Sequence, residues 1–287
     1  MSGALTTWRN GPTRDAILAF VRSATESVPE IDRVATFDND GTLWCEKPLY
    51  VQADFVLRTW KAMLEADPSL AERQPYKALA EGDQAWLAGL ADHLPDLVRG
   101  LSEAYSGLTT DEFETRVRDF FDDAKHPTLG TRYSDLAYAP MKELLQFLEA
   151  NGFRVFICSA GGRDFVRAVS EEIYGLPRER VIGSSAPLEF RDGKLVRVAG
   201  VEQPIDDGAG KPVHIWARVG RTPLFAAGNA NGDVEMLSQA KFSLLVHHDD
   251  ADREFAYDEG ADAALAAAKA NGWIVASMRE DFGTIFG

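Results

Sequence analysis

The stretch RVATFDNDGT, residues 33–42, joins a short apolar run to a polar turn. Such a run is typical of a strand buried in a parallel sheet. Asp38 and Asp40 follow it two residues apart, and Gly41 permits a sharp exit. Two carboxylates in one crevice can divide acid–base work, one attacking as the ionised group and one delivering a proton. The alternative is an ordinary turn, in which Asp, Asn and Gly are common.

Four further runs resemble this strand and are also followed by polar or glycine-rich turns. The five predicted strands are Arg33–Phe37, Phe153–Cys158, Arg180–Ser184, Pro223–Ala227 and Phe242–Val246. Helical patterns lie between them, as in Met141, Leu144, Leu145 and Leu148, which end at Asn151-Gly152. Strands that alternate with helices predict an α/β fold with a doubly wound parallel sheet, whose ligands bind beyond the carboxyl ends of the strands.

The segment 48–126 interrupts this alternation because it has helical patterns and no convincing strand. One of its helices is predicted to begin at a capping box, Thr109–Glu112. We therefore predict a core built from 1–47 and 127–287, with 48–126 inserted as an all-helical unit. A hairpin is predicted from Leu188–Phe190 and Lys194–Arg197.

Composition excludes several classes of partner. The chain of 287 residues has 45 acidic and 30 basic side chains, a formal charge of −15, which disfavours binding to nucleic acid or to an anionic membrane. An anionic substrate would need a local positive group. Cys45 and Cys158 are expected to be free thiols. With no signal-peptide pattern and no long apolar run, a cytoplasmic location is expected.

Two other segments carry groups suited to anions. Ser159-Ala160-Gly161-Gly162 offers a hydroxyl and backbone amides before a predicted helix, an arrangement that can cradle an anion. Lys211 could supply a positive charge, although a single lysine is usually a surface residue. The segment around it is not a phosphate-binding P-loop, because Ile205 and Pro212 stand where that motif needs Gly and Ser or Thr.

The fourth predicted strand is followed by Gly228-Asn229-Ala230-Asn231-Gly232-Asp233. Oxygen-bearing side chains at a strand end suit a hard cation such as Mg²⁺, and an Asx-rich turn is the competing interpretation. After the fifth strand, adjacent residues of His247-His248-Asp249-Asp250 point in diverging directions. We expect a solvated loop near the site there, not a cluster of metal ligands.

The order of these elements resembles the haloacid dehalogenase-like (HAD) hydrolase superfamily, most closely its phosphoserine phosphatase-like branch. The resemblance lies in Asp38–Thr42, Ser159, Lys211 and the run Gly228–Asp233, and the helical insertion occupies that branch's cap position. It implies a Rossmann-like core with strand order 5-4-1-2-3 and a mobile helical cap. It also implies a Mg²⁺-dependent phosphatase that hydrolyses a small phosphorylated metabolite.

The resemblance also implies a role for each matching residue. Asp38 would be the nucleophile that forms an aspartyl-phosphate, and Asp40 the general acid and then base. The residues implied to bind phosphate are Thr42, Ser159, Ala160, Gly161 and Lys211. Asp38, Asp40, Asn229 and Asp233 would hold the metal, with Asn229 standing where the family commonly has Asp. This departure removes one negative charge from the metal site.

Other activities remain open at this point. A phosphotransferase or mutase would share the aspartyl-phosphate, and a catalytically silent module could bind a phosphometabolite. A carbon–halogen hydrolase is disfavoured because it has no use for Asp40. Trp44, Glu46, Lys47 and Tyr50 follow the nucleophile and could reach a leaving group, with Glu46 and Lys47 as the predicted substrate-pocket residues.

Overall fold

A computed structural model describes residues 4–89 and 93–287. Its main sheet has six strands, and every neighbouring pair runs parallel. These strands are β1 (Val34–Phe37), β2 (Arg154–Gly162), β3 (Val181–Ser184), β6 (Phe225–Gly228), β7 (Phe242–His247) and β8 (Ile274–Ser277). A separate antiparallel hairpin consists of β4 (Leu188–Arg191) and β5 (Lys194–Arg197).

The sheet order is β3-β2-β1-β6-β7-β8, with β1 in the interior. Without the hairpin, this is the expected order 5-4-1-2-3 with one more strand beyond β7. The predicted α/β fold with a Rossmann-like parallel sheet is therefore confirmed. The order reverses beside β1, so the carboxyl ends of β1, β2 and β6 open onto one crevice.

Helices cover the sheet and fill the segment between β1 and β2. They are α1 (Pro12–Ser27), α2 (Val51–Ala66), α3 (Tyr76–Glu81), α4 (Gln84–Ala88), α5 (Leu94–Tyr105), α6 (Thr110–Asp123), α7 (Ala139–Ala150), α8 (Arg163–Arg167), α9 (Ser170–Tyr174), α10 (Gly210–Val219), α11 (Val234–Gln239), α12 (Asp262–Asn271) and α13 (Met278–Asp281). None of the helices in these described ranges is long and apolar enough to cross a membrane.

The two faces of the sheet contribute to two different hydrophobic clusters. Ala35 and Phe37 of β1 belong to the larger cluster, whereas Val34 belongs to the smaller one. This division follows from the two-residue period of a strand, which sends successive side chains to opposite faces. A continuous apolar run is therefore what a strand covered on both faces requires.

The last helix of the helical segment, α6, begins at the predicted capping box. Thr109 and Glu112 form a reciprocal capping box at α6, and Phe113 and Phe120 of that helix are buried. The segment packs against the core, since the ring of Phe55 in α2 lies 5.4 Å from that of Phe165 in α8. The boundaries 48–126 of a separate cap domain stay a prediction.

The hairpin is bonded through its backbone to the helical segment. The amide of Gly107 donates to the carbonyl of Arg197 at 2.8 Å, and the amide of Arg197 donates to the carbonyl of Leu108 at 2.8 Å. The turn between β4 and β5 has positive φ at Asp192 (48°) and Gly193 (80°), as a tight hairpin needs. The predicted hairpin is confirmed.

Three features differ from the sequence expectations. Strand β8 was not predicted, because it is short and its Val275 is exposed at the sheet edge. The apolar pattern Phe165, Val166 and Val169 predicts a helix after β2 that reaches Val169, but the helix ends at Arg167. The loop after β7 is not solvated throughout, since His248 and Asp250 are buried.

Both cysteines are buried and free, as expected. Burial raises the pKa of the Cys45 and Cys158 thiols above the ordinary value, so neither is set up as a thiolate nucleophile.

We predict that Leu144→Ala lowers the free energy of unfolding by about 2–5 kcal/mol, because Leu144 lies on the buried face of α7 and the change leaves a cavity. Val213→Ala is the control, since Val213 is 52% exposed on α10 and its truncation should cost less than about 0.5 kcal/mol. Urea unfolding measures both. Equal losses in the two variants would contradict the assignment of α7 to the core.

Candidate active site

The turn after β1 holds Asp38 in a fixed position. Its amide donates to the carbonyl of Ala227 in β6 at 2.9 Å, which fixes the start of the turn against the neighbouring strand. Its Oδ1 accepts from Lys211 Nζ at 2.5 Å. Its Oδ2 has only a long contact of 3.5 Å, to the hydroxyl of Thr42. One carboxylate oxygen is thus anchored, and the other is available to react.

Lys211 is the positive group that connects the strand ends. It lies in the first turn of α10 and is 1% exposed. Its ammonium donates to Asp38 Oδ1, to Asp233 Oδ1 at 2.6 Å and to the Cys158 carbonyl at 2.9 Å. Asp38 directly follows β1, Asp233 lies five residues beyond the end of β6, and Cys158 lies within β2. All three protons of the ammonium therefore have an acceptor, and the acceptors belong to three different parts of the sheet. Lys211 is therefore not a surface lysine.

Asp40 lies on the open side of the same turn and is partly buried. The indole of Trp44 donates to its Oδ1 at 2.8 Å. Between the two carboxylates, Asn39 is fully buried and its Oδ1 accepts from the Tyr174 hydroxyl at 2.9 Å. Asn39 therefore points into the protein while Asp38 and Asp40 face the crevice, as the alternation of side chains predicts.

The turn after β6 brings Asn229 and Asp233 next to Asp38. The side-chain nitrogen Nδ2 of Asn229 donates to Glu46 Oε1 at 3.1 Å. Its Oδ1 is therefore turned toward Thr42, whose hydroxyl donates to it at 3.0 Å. Asp233 uses one oxygen for Lys211 and accepts from the amides of Asn229 and Ala230 with the other. Both oxygens of Asp233 are therefore occupied.

The last residues of β2 include the three that were predicted to bind phosphate there. Ser159 is buried and its hydroxyl accepts from the Gly161 amide at 3.1 Å, while Ala160 is exposed. The next amide, that of Gly162, donates to Gln52 Oε1 at 2.6 Å. A side chain of α2 in the helical segment thus occupies an amide of the predicted anion cradle.

The two predicted substrate-pocket residues differ in placement. Glu46 is buried, and its Oε1 accepts from the Tyr257 hydroxyl at 2.5 Å as well as from Asn229. The ammonium of Lys47 lies 4.7 Å above the ring of Tyr257. Glu46 is therefore part of the packing around Asn229 in this structure, whereas Lys47 lies at the outer side of the same group.

Burial and neighbouring charges shift the acidity of these groups. Desolvation, followed by the charge of Asp233, raises the pKa of Asp38 well above its ordinary value, although Lys211 opposes this. Burial disfavours the charged form of Lys211, yet Asp233 and Asp38 raise its pKa well above the ordinary value. Burial raises the pKa of Asp40, against hydrogen bonds from Trp44 and Asn39. A raised pKa suits a group that must donate a proton near neutral pH.

The oxygen atoms around Asp38 are of the kind that binds a divalent cation. Oxygens of Asp38 and Asn229 both lie within 3.5 Å of the Thr42 hydroxyl, and oxygen ligands are those that Mg²⁺ prefers. In ranges 4–89 and 93–287, no group of three or more His, Cys, Asp and Glu side chains is arranged to hold a metal ion. The candidate set differs from such a group because it includes an amide oxygen.

Sequence reasoning missed Gln52 and the network behind the turn. His248 lies with its Nε2 2.8 Å from the Gly41 carbonyl and its Nδ1 3.2 Å from Glu254 Oε2. Glu254 also accepts from the Tyr138 hydroxyl at 2.7 Å. The only signal was the proximity of His248 to a strand end, and it could not specify which partner its ring would meet.

The packing of the turn after β1 can be tested by adding a side-chain atom at Gly41. It has φ +74°, and a Cβ there would overlap Asn229 and approach Glu46 Cδ to 2.7 Å. Gly175 is the matched control because it has φ +71° with nothing within 4 Å. We predict that Gly41→Ala lowers the free energy of unfolding by about 1–3 kcal/mol more than Gly175→Ala, measured by urea unfolding. Equal costs would mean that the turn yields freely.

Comparisons with known proteins place this arrangement in a family. No curated protein sequence matches the chain. Two solved structures of unknown function, from Anaerococcus prevotii DSM 20548 and Bordetella pertussis Tohama I, resemble it at TM-scores of 0.58 and 0.53, with 16% and 21% identity. The first similarity covers 91% of this chain and 90% of the other, and the second covers 85% and 97%.

A phosphoserine phosphohydrolase-like protein from Francisella tularensis subsp. tularensis SCHU S4 has a TM-score of 0.50 at 15% identity, over 85% of this chain and 94% of its own. These similarities concern the fold. The family described as haloacid dehalogenase-like hydrolase matches residues 35–238, which include Asp38, Ser159, Lys211 and Asp233. The chain belongs to the haloacid dehalogenase-like hydrolase family.

Proposed function

We propose that the protein is a Mg²⁺-dependent phosphatase that hydrolyses a small phosphomonoester through an aspartyl-phosphate on Asp38. The observation that carries this proposal is the contact between Lys211 Nζ and Asp38 Oδ1 at 2.5 Å, with Asp40 on the same turn. A buried ammonium that fixes one oxygen of a carboxylate leaves the other oriented for attack. Family membership supports a hydrolase.

In the first half of the reaction, Asp38 Oδ2 attacks the phosphorus and the bond from phosphorus to the leaving oxygen breaks. Asp40 transfers its proton to that oxygen, so the alcohol leaves neutral. In the second half, water attacks the phosphorus, Asp40 takes a proton from the water, and the bond to Asp38 breaks. Inorganic phosphate and the free carboxylate result.

Charge is the obstacle that the site must overcome. A carboxylate and a phosphate oxygen 4 Å apart repel by about 4 kcal/mol per charge pair at an effective dielectric constant near 20. Lys211 offsets part of this repulsion. We propose that Asp38, the Asp40 carbonyl and Asn229 hold Mg²⁺, with Asp233 beside them orienting Lys211. When bound, the cation neutralises charge on the transferring group.

We further propose that 48–126 is a cap over this crevice and that Thr42, Ser159, Ala160 and Gly161 contribute to phosphate binding. The contact between Gln52 and the Gly162 amide supports the cap, because it places a side chain of α2 directly on the end of β2. Gln52 thus occupies the amide next to the residues proposed to bind phosphate. We therefore expect Gln52 to lie close to a bound phosphate.

We predict that Asp38→Asn abolishes phosphate release from p-nitrophenyl phosphate in the presence of Mg²⁺. Asp40→Asn should lower kcat by about 10²–10⁴-fold with little change in KM, because it removes proton transfer and leaves the binding groups in place. Inorganic phosphate, measured colorimetrically, is the readout.

Glu149→Gln, on exposed α7 surface, is a control that should leave the rate unchanged. EDTA should abolish the wild-type activity and added Mg²⁺ should restore it. Full turnover by Asp38→Asn would contradict the nucleophile. Transfer of the phosphoryl group to an added sugar alcohol, in place of its release, would instead identify a phosphotransferase.

Gln52 can be tested by charge. We predict that Gln52→Glu lowers kcat/KM by about tenfold or more, because a carboxylate at the Gly162 amide repels the phosphate dianion. Lys61→Gln is the matched control, since it changes the net charge by the same one unit at an exposed position of the same helix. An equal effect of both variants would show that only overall charge matters and that Gln52 does not face the phosphate.

A further inference from the structure

A cavity lined by cationic side chains lies outside the proposed reaction centre. It has a volume of about 290 Å³ and lies between α6 of the helical segment, α8 of the core and the β4–β5 hairpin. Four arginines line it, Arg163, Arg167, Arg178 and Arg197, beside the apolar side chains of Phe113 and Leu195. We call this cavity the arginine pocket. None of these residues has a role in the proposed phosphate transfer.

Three of the arginines depend on one carboxylate. Asp164 contacts Arg163 at 3.3 Å, Arg167 at 3.5 Å and Arg197 at 2.9 Å. Only the contact with Arg197 has the short distance of a good charge-assisted hydrogen bond. Three guanidinium groups around one carboxylate leave an excess of two positive charges, since arginine stays protonated in proteins. This excess is unusual in a chain whose formal charge is −15.

The other acidic residues of the pocket do not cancel the excess. Glu114 contacts Arg178 at 2.5 Å and is shared with Arg118 at 3.0 Å, so it serves two further arginines. Glu179 also lines the pocket. With all three acids counted, the four lining arginines still exceed them by one charge.

Arg197 shows the cost of this arrangement most clearly. Its side chain is 12% exposed, and its guanidinium lies 3.9 Å from the centre of the Phe113 ring. Its Nε is buried without a hydrogen-bond partner. Burial, together with the charge of Arg163, lowers the pKa of Arg197 despite the opposing charge of Asp164. A buried donor without an acceptor is destabilising, so the internal contacts of Arg197 leave its guanidinium only partly satisfied.

We propose that the arginine pocket binds a small organic anion carrying carboxylate or phosphate groups, at a site separate from Asp38. Guanidinium groups match the planar or forked oxygens of such anions, and the apolar wall at Phe113 and Leu195 accommodates a carbon skeleton. The ligand contacts α6, α8 and the hairpin together. Its binding therefore fastens the helical segment to the core.

Isothermal titration calorimetry tests this site with citrate and with inorganic pyrophosphate, in buffer free of phosphate, sulfate and divalent ions. Saturable binding of either probe is expected, and which one binds identifies the chemistry. Arg163→Gln and Arg197→Gln should weaken binding by about tenfold or more, because each removes a guanidinium. Arg163→Gln carries the test if Arg197→Gln does not fold.

Asp164→Asn should tighten binding of the probe, in contrast to the arginine variants, because it removes the carboxylate that competes with the ligand for the guanidinium groups. Arg22→Gln, at an exposed position of α1, changes the charge by one unit and should leave binding unchanged. The proposal is overturned if neither probe binds wild type, or if all variants bind alike. Because no phosphatase assay enters the test, its outcome is independent of the proposed reaction.

Discussion

The buried ammonium of Lys211 is the contact on which the candidate active site depends. It joins Asp38, which follows β1, Asp233, which lies beyond the end of β6, and the carbonyl of Cys158 within β2. Removing one partner of a buried ion pair costs about 3–5 kcal/mol, because the remaining charge is left unpaired in a medium of low polarity. The positions of these strand ends and the first turn of α10 are therefore set jointly.

The turn after β1 that carries Asp38 is also closely packed. Gly41 has no room for a side chain next to Asn229, and Gly228 is in the same situation, since a Cβ there would lie 2.6 Å from Asp233 Cβ. Two glycines at neighbouring strand ends thus allow the carboxylates and the amide to approach one another. The site is built by close backbone approach, and its charges are satisfied within that small volume.

Local sequence was sufficient for five of the six strands of the main sheet and for the residues that follow β1. The run Val34–Phe37 is apolar on both faces, so its burial and the exit of Asp38 and Asp40 follow from the period of a strand alone. The meeting of Lys211 with Asp38 was only implied by the resemblance. It depends on how α10 returns to the sheet, and no property of a single lysine encodes that.

The contacts that sequence reasoning missed are those between distant segments. Gln52 follows an unremarkable Val51 at the start of α2, and nothing local indicates that it meets Gly162. His248 was expected in a solvated loop, yet it is buried, and the Gly41 carbonyl and the Tyr138 ring that lie against it come from distant parts of the chain. Polar residues such as these are assigned by tertiary packing, which periodicity does not report.

The backbone bonds between the hairpin and the loop at Gly107 and Leu108 have a mechanical consequence. The same hairpin leads along the chain to α10, whose first turn carries Lys211. If those bonds persist while the helical segment moves away from the core, the hairpin moves with it. The chain between the hairpin and α10 then transmits that displacement to the start of α10. If 48–126 is the proposed cap, its opening and the position of Lys211 are then linked through the hairpin.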